Sequence, residues 1–207
     1  MFDELLFRGF HSLWHGASER RLWKRMIPKE FTRESAINNS TYSCDNIHEA
    51  RWLSRIRDLA PHIILSVCTH TVFKPELFNI PKFGMFMLHE GLTPEYRGLH
   101  TPAWALLRKE TELIGYTLLK IDEGIDTGRI LCQGSYPDAD NYGFCWSFIG
   151  HSALIHGLPQ IKEALDGLYH QHGEFHEVSQ ANRNSSYYSW MALSDYLRFK
   201  IHENRRN

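Results

Sequence analysis

Apolar residues fall on two periods along the chain, and the switches between those periods mark out its elements. Phe2, Leu5, Leu6, Phe10, Leu13 and Trp14 recur at helical spacing, and Ser18 opens a second, basic helix that stops at Pro28. Residues 30–46 are polar, with a short strand expected near Thr41–Cys44. Asn46-Ile-His-Glu49 has the form of a capping box, followed by Ala50, Leu53, Ile56 and Leu59 on one helix face that ends before Pro61. His62–Cys68 is then a continuous apolar run, the pattern of a central parallel strand covered on both faces.

Thr69-His70-Thr71-Val72-Phe73 follows that strand, then Pro75 with a short helix, then a second apolar run, Phe83–His89. Strand, helix, strand predicts a right-handed crossover, and the carboxyl ends of such strands form a ligand crevice. Thr101 and Pro102 supply an N-cap and a first-turn proline for a helix reaching about Lys109. Ile114–Ile121 reads as a strand, Asp122–Gly128 as a turn and Arg129–Gln133 as another strand. Phe148, Ile149, Leu154, Ile161, Leu165 and Leu168 mark a long amphipathic helix over 143–170, with a break at Gly157-Leu-Pro159. Tyr187–Trp190 reads as loop, and Ser194 onward as a closing helix. The fold class expected is α/β with a mostly parallel sheet and C-terminal helices.

Two site loops stand out against this frame. The Met85–Leu88 run delivers His89 into Glu90-Gly-Leu-Thr-Pro-Glu-Tyr96-Arg-Gly98, and a later strand ends in Asp122-Glu-Gly124-Ile-Asp126-Thr127-Gly128. A histidine and a carboxylate at strand ends make an acid/base pair if the two strands are neighbours. His170, His172 and His176 have no specific metal-ligand spacing, so no metal is expected. Trp190, Tyr187 and Tyr188 read as packing residues.

Composition narrows the partners. With 207 residues the chain suits one domain, and 23 Lys and Arg against 24 Asp and Glu leave a formal charge of -1, which selects neither nucleic acid nor a membrane surface. Arg20, Arg21, Lys24 and Arg25 read as a solvated helix face. Cys44, Cys68, Cys132 and Cys145 show no paired spacing, which points to reduced thiols. With neither a leader pattern nor a long apolar run, a cytoplasmic protein is expected.

His89-x-Gly91-x-x-Pro94-x-Tyr-Arg-Gly98 followed by Asp122-x-Gly-x-Asp126-x-Gly128 resembles the formyltransferase superfamily that uses 10-formyltetrahydrofolate, which includes methionyl-tRNA and glycinamide ribonucleotide formyltransferases. The likeness spans roughly residues 45–135, and it implies a Rossmann-like sheet of the formyltransferase type. The family's first strand or strands are absent here or replaced by helices. That divides one formyltransferase-like domain into a divergent helical part (1–44), a core with the site loops (45–135) and C-terminal helices (136–207).

The resemblance implies that His89 and Asp126 are the reactive pair and that 10-formyltetrahydrofolate is the formyl donor. The family also places an asparagine two residues before the histidine, and Met87 holds that position. A thioether donates no hydrogen bond to a developing oxyanion, which leaves His70, Thr71 or a backbone N–H near Gly91 to do so. Tyr96, Arg97, Gly98 and His100 are expected at the substrate mouth, and Thr69, His70, Thr71, Gly124 and Thr127 beside the folate. Arg97 has a second reading, as a pin for its loop, and Glu90 either tunes His89 or faces water. Asp122 is expected to cap its turn. The acceptor expected is a primary amine on a small molecule, with hydrolysis or silent folate binding as alternatives. An open sheet edge would invite a second copy, giving a homodimer.

Overall fold

The computed structural model describes residues 21–22 and 42–204. The two N-terminal helices, and with them the helical part expected over 1–44, lie outside these residues except for Arg21 and Leu22, which are helical. Tyr42–Cys44 forms no strand.

Helix α1 (Ala50–Leu59) buries Leu53 and packs Ile56 beside it, as the spacing predicts. Its capping differs from expectation. Asn46 Oδ1 accepts from the His48 N–H at 3.0 Å, so the asparagine closes a local turn and Glu49 becomes the N-cap without a side-chain bond. Strand β1 (Ile63–Val67) leads through α2 (Pro75–Phe78) to β2 (Gly84–His89), and β1 and β2 pair in parallel from Ile63 opposite Gly84 to Val67 opposite Leu88.

Beyond β2 the expectation of a mostly parallel sheet is corrected. Strand β4 (Gly115–Lys120) pairs antiparallel with β2, and β5 (Ile130–Ser135) antiparallel with β4, giving the order β1-β2-β4-β5. The path of the chain between the strands agrees with this. The short two-residue strand β3 (Arg97–Gly98) and helix α3 (Thr101–Arg108) lie between β2 and β4, and Thr117 near the start of β4 stands opposite His89 at the end of β2, so the chain turns back from that end. Only the residues Ile121–Arg129 separate β4 from β5, too short a link for a parallel crossover. A second difference concerns β1, expected as a central strand, which is an edge strand among the described residues, with Leu65 and Val67 exposed.

Alternation along β2 sorts the two faces of the sheet. Phe86 and Leu88, with Tyr116 and Leu118 of β4, pack against Leu154, Ile161 and Leu168 of α4 (Trp146–His156) and α5 (Leu158–His170). The break expected near Gly157 is where those two helices meet. Met85 faces the other way, against Leu53 of α1, Leu77 of α2 and Ile121. Met87 and His89 continue that second face toward the carboxyl ends of β1 and β2, where the crevice lies.

The C-terminal part crosses the site loops and ties them down. Val178 N–H donates to the Ile130 carbonyl, Arg183 holds Glu95 through paired contacts of 2.9 and 2.6 Å, and Tyr187–Tyr188, read from sequence as loop, forms strand β6 in parallel with β3. Helix α6 (Leu193–Asn204) closes the described chain.

Candidate active site

His89 is set by what surrounds the last residue of β2. Directly across the sheet, the buried Thr117 hydroxyl donates to the Gly91 carbonyl at 2.6 Å and accepts from the Thr93 N–H at 3.2 Å, fixing the loop that leaves His89. His89 Nε2 lies 2.8 Å from the Tyr96 carbonyl oxygen. A carbonyl only accepts, so Nε2 carries a hydrogen and Nδ1 is turned the other way. There Asp126 Oδ2 lies 3.6 Å from Nδ1, with both side chains almost completely buried. This distance suits a pair that closes onto a shared proton more than a bond already made.

Asp126 arrives by a loop that runs back along β2. Ile121 N–H donates to the Met85 carbonyl at 2.8 Å, and within five residues the chain reaches His89. Asp122 caps this turn as expected, accepting from the Gly124 N–H at 2.9 Å and the Thr127 hydroxyl at 2.6 Å. Asp126 itself has φ +52°, and its Oδ2 accepts from the Gly98 N–H at 2.8 Å. The two loops expected to converge therefore do so through Asp126, which touches both the histidine and the opposite loop.

A cavity of about 170 Å³ opens beside the pair. Val72, Phe73, Ile121 and Ile125 make its walls apolar, and Met87 and His89 face it from β2. Thr69, His70, Thr71, Gly98, Gly124 and Asp126, all expected at the site, line it. His70 and Thr71, two of the three candidates for the missing amide donor, are thus at the cavity, while Gly91 is not among its lining residues.

Four expected site residues, Tyr96, Arg97, His100 and Thr127, are not among the residues lining the cavity. Tyr96 is 1% exposed, stacked on Tyr188 with ring centroids 4.9 Å apart, and its hydroxyl donates to Glu110. Burial, and after it the Glu110 contact, push its phenol pKa up; only its carbonyl serves His89. His100 is buried, with its ring against Trp146 and Trp190 and Nδ1 accepting from the Met191 N–H at 3.2 Å. Thr127 spends its hydroxyl on Asp122. Arg97 takes its second reading, with Nη1 reaching the Ile125 carbonyl at 3.4 Å to pin the aspartate loop. Thr101, expected as an N-cap, instead turns its hydroxyl to the Glu90 carbonyl, and His100 precedes the helix.

Glu110 gives a pH signature. The Tyr96 hydroxyl is the largest influence holding its carboxyl below the ordinary value of 4.5; burial opposes this and Arg108 adds to it. A carboxyl lowered on folding contributes stability above its unfolded value and loses it as pH falls through the folded one. Glu110→Gln is expected to flatten the loss of stability between about pH 6 and pH 3 measured by urea unfolding. Tyr96→Phe, which removes only the hydroxyl, is expected to cost about 1 kcal/mol in the same measurement at neutral pH.

Some neighbours of the pair were given other readings from sequence, and His151 was given none. Tyr187 lines the first cavity from β6, and Cys68, Glu90 and His151 line a second one beside His89. Helical spacing alone gave no sign that His151 of α4 would come to the end of β2. Among the described residues, no three His, Cys, Asp and Glu side chains gather as a metal site, and no helix is long and apolar enough to cross a membrane.

Comparison with known proteins places this geometry. A family model described as formyl transferase matches residues 16–140, a span that contains both site loops. Methionyl-tRNA formyltransferase of Thermodesulfovibrio yellowstonii is 28% identical over 151 residues, covering 70% of this chain and 49% of that protein. The Geobacter metallireducens methionyl-tRNA formyltransferase is 34% identical over 120 residues, covering 56% of this chain and 36% of the relative. The chain thus spans about half or less of the length of these curated relatives. A sugar N-formyltransferase structure from Shewanella shares the fold with a TM-score of 0.53 at 18% identity, over 73% of this chain and 56% of that one. Since the matched segment is more than half of the 207 residues and carries His89 and Asp126, the chain belongs to the formyl transferase family.

Proposed function

We propose that the protein transfers a formyl group from 10-formyltetrahydrofolate to a primary amine of a small molecule. The observation that carries this reading is the buried His89–Asp126 pair beside a cavity of mixed character. Apolar walls from Val72, Phe73, Ile121 and Ile125 suit a flat fused heterocycle, and the Asp122–Asp126 backbone offers a polar edge. The donor, as substrate, supplies the activated formyl carbon. The protein's part is to hold the reactants out of water and to move protons at His89 Nδ1, with Asp126 orienting the ring.

His70 and Thr71 take over the donor role that Met87 lacks, since both line the same cavity and each carries a donor group. A small acceptor is favoured over tRNA by the near-neutral charge, which gives no field to gather a polyanion.

The test is incubation with formyl-labelled 10-formyltetrahydrofolate and, in separate reactions, nucleotide-linked amino sugars, free amino acids and methionyl-tRNA. Formamide on a small amine supports the reading. Formate alone would make the protein a hydrolase, and formylated methionyl-tRNA would replace the small acceptor. Tight folate binding with no product would make it a silent binding protein.

A further inference from the structure

A second cavity, of about 210 Å³, lies on the helix side of His89. Cys68, Glu90, His151 and Leu154 line it, and it shares Thr69, His70, Met87, His89, Gly98 and Leu99 with the first cavity, so the two adjoin as parts of one crevice. His89 thus stands between two chambers, one walled by the Asp126 loop and the other by α4.

Glu90 is the unusual member of the second chamber. It follows His89, so the alternation of the strand turns its side chain to the opposite face, toward α4. Its Oε2 atom is shut off from solvent and has no hydrogen-bond partner among the described residues, while the residue as a whole is partly exposed. Gly150 of α4 lies against it, and a Cβ at that position would overlap Oε2 and push the carboxyl aside. Burial raises the carboxyl pKa, with His151 and then His89 pulling partly the other way. A carboxyl oxygen shut off from water without a partner is costly, and its retention at the edge of a chamber is explained when a ligand reaching this partly exposed carboxyl supplies the partner. The missing partner is a hydrogen-bond donor, best a positive one.

We propose that the second chamber receives the acceptor's ammonium group, with Glu90 holding it and then taking its proton. This rests on the formyl-transfer reading above. The ammonium nitrogen gives one proton to the Glu90 carboxylate, and its freed lone pair forms the bond to the formyl carbon. The bond from that carbon to the donor nitrogen breaks, and His89 carries the second proton lost by the attacking nitrogen to the leaving one. Glu90 returns its proton to solvent after product release. Two protons leave the ammonium and both are placed, and no oxidant or reductant is needed. The proposal also explains why the reactive histidine borders both chambers.

Cys68 provides a reporter inside the same chamber. The protein is treated with a cationic methanethiosulfonate (trimethylammonioethyl) or an anionic one (sulfonatoethyl), and modification is followed peptide by peptide, so that Cys44, Cys132 and Cys145 are scored separately. The expected result is that the cationic reagent modifies Cys68 about fivefold or more faster than the anionic one. The preference is expected to vanish in the isosteric Glu90→Gln, and ethanolamine is expected to slow cationic labelling only in the unchanged protein. The ratio of the two reagents cancels any change in thiol ionisation that removal of the Glu90 charge brings. Equal rates in the unchanged protein, or a preference that survives Glu90→Gln, overturn the proposal.

A parallel calorimetric titration of both proteins with a stable 10-formyltetrahydrofolate analogue separates the two levels of inference. Analogue binding kept in Glu90→Gln together with the lost preference supports the ammonium site. Analogue binding without any charge preference overturns the ammonium site and leaves the folate reading standing. A charge preference without analogue binding overturns the folate reading and, with it, the acceptor role.

Discussion

Replacing His89 with alanine is expected to lower formyl transfer about 100- to 10,000-fold while affinity for a folate analogue changes little. The reason is positional. Nε2 is committed to the Tyr96 carbonyl at 2.8 Å, which holds the ring so that Nδ1 faces Asp126 Oδ2 at 3.6 Å. Without the imidazole, the buried carboxylate still accepts from the Gly98 N–H, so the loop and the cavity walls survive. What is lost is the group able to move a proton between attacking and leaving nitrogens. Single-turnover measurement of formamide formation, paired with analogue titration, checks the split between rate and binding. Undiminished turnover in this variant would remove His89 from the chemistry.

Gly98→Ala is expected to damage both stability and activity, costing about 3 kcal/mol or more in urea unfolding and reducing transfer as well. Gly98 has φ +97°, where an L side chain is strained, and a Cβ there would overlap the Tyr188 carbonyl oxygen across the β3–β6 pairing. The same residue's N–H holds Asp126. One methyl group therefore pushes β6 away from β3 and loosens the carboxylate facing His89. Gly143→Ala provides the internal control. Gly143 also has a positive φ, +57°, but its Cβ would meet nothing within 4 Å, so only the backbone strain of about 1–3 kcal/mol applies and transfer is expected to be kept. Equal destabilisation by the two substitutions would show that the β3–β6 contact does not matter.

The strand ends and the glycine-bounded turns were legible because their signals are local. The run Met85–Leu88 ending at His89 and the turn capped by Asp122 need only neighbours within about five residues to be read. Strand direction was not legible from periodicity, which is the same for parallel and antiparallel pairing. The short 121–129 connection held that information, because no crossover fits in it.

Tyr96 and His100, expected at the mouth from the family resemblance, are buried, and that burial is decided by Tyr188 and Met191, some 90 positions later in the chain. Glu90 is the same case in reverse: its neighbour Gly150 belongs to a helix whose docking no local pattern announces. Of the residues expected from the family resemblance, His89 and Asp126 lie side by side, while Tyr96, Arg97, His100 and Thr127 are not among those lining the cavity.

Calorimetric titration with a stable 10-formyltetrahydrofolate analogue, on the unchanged protein and on Asp126→Ala, tests the central claim most directly. The expected result is one-site binding that the substitution weakens about tenfold, since Asp126 lines the cavity and anchors its loop through Gly98. A folded, unchanged protein that binds no analogue would contradict a folate-dependent transfer at His89 and Asp126.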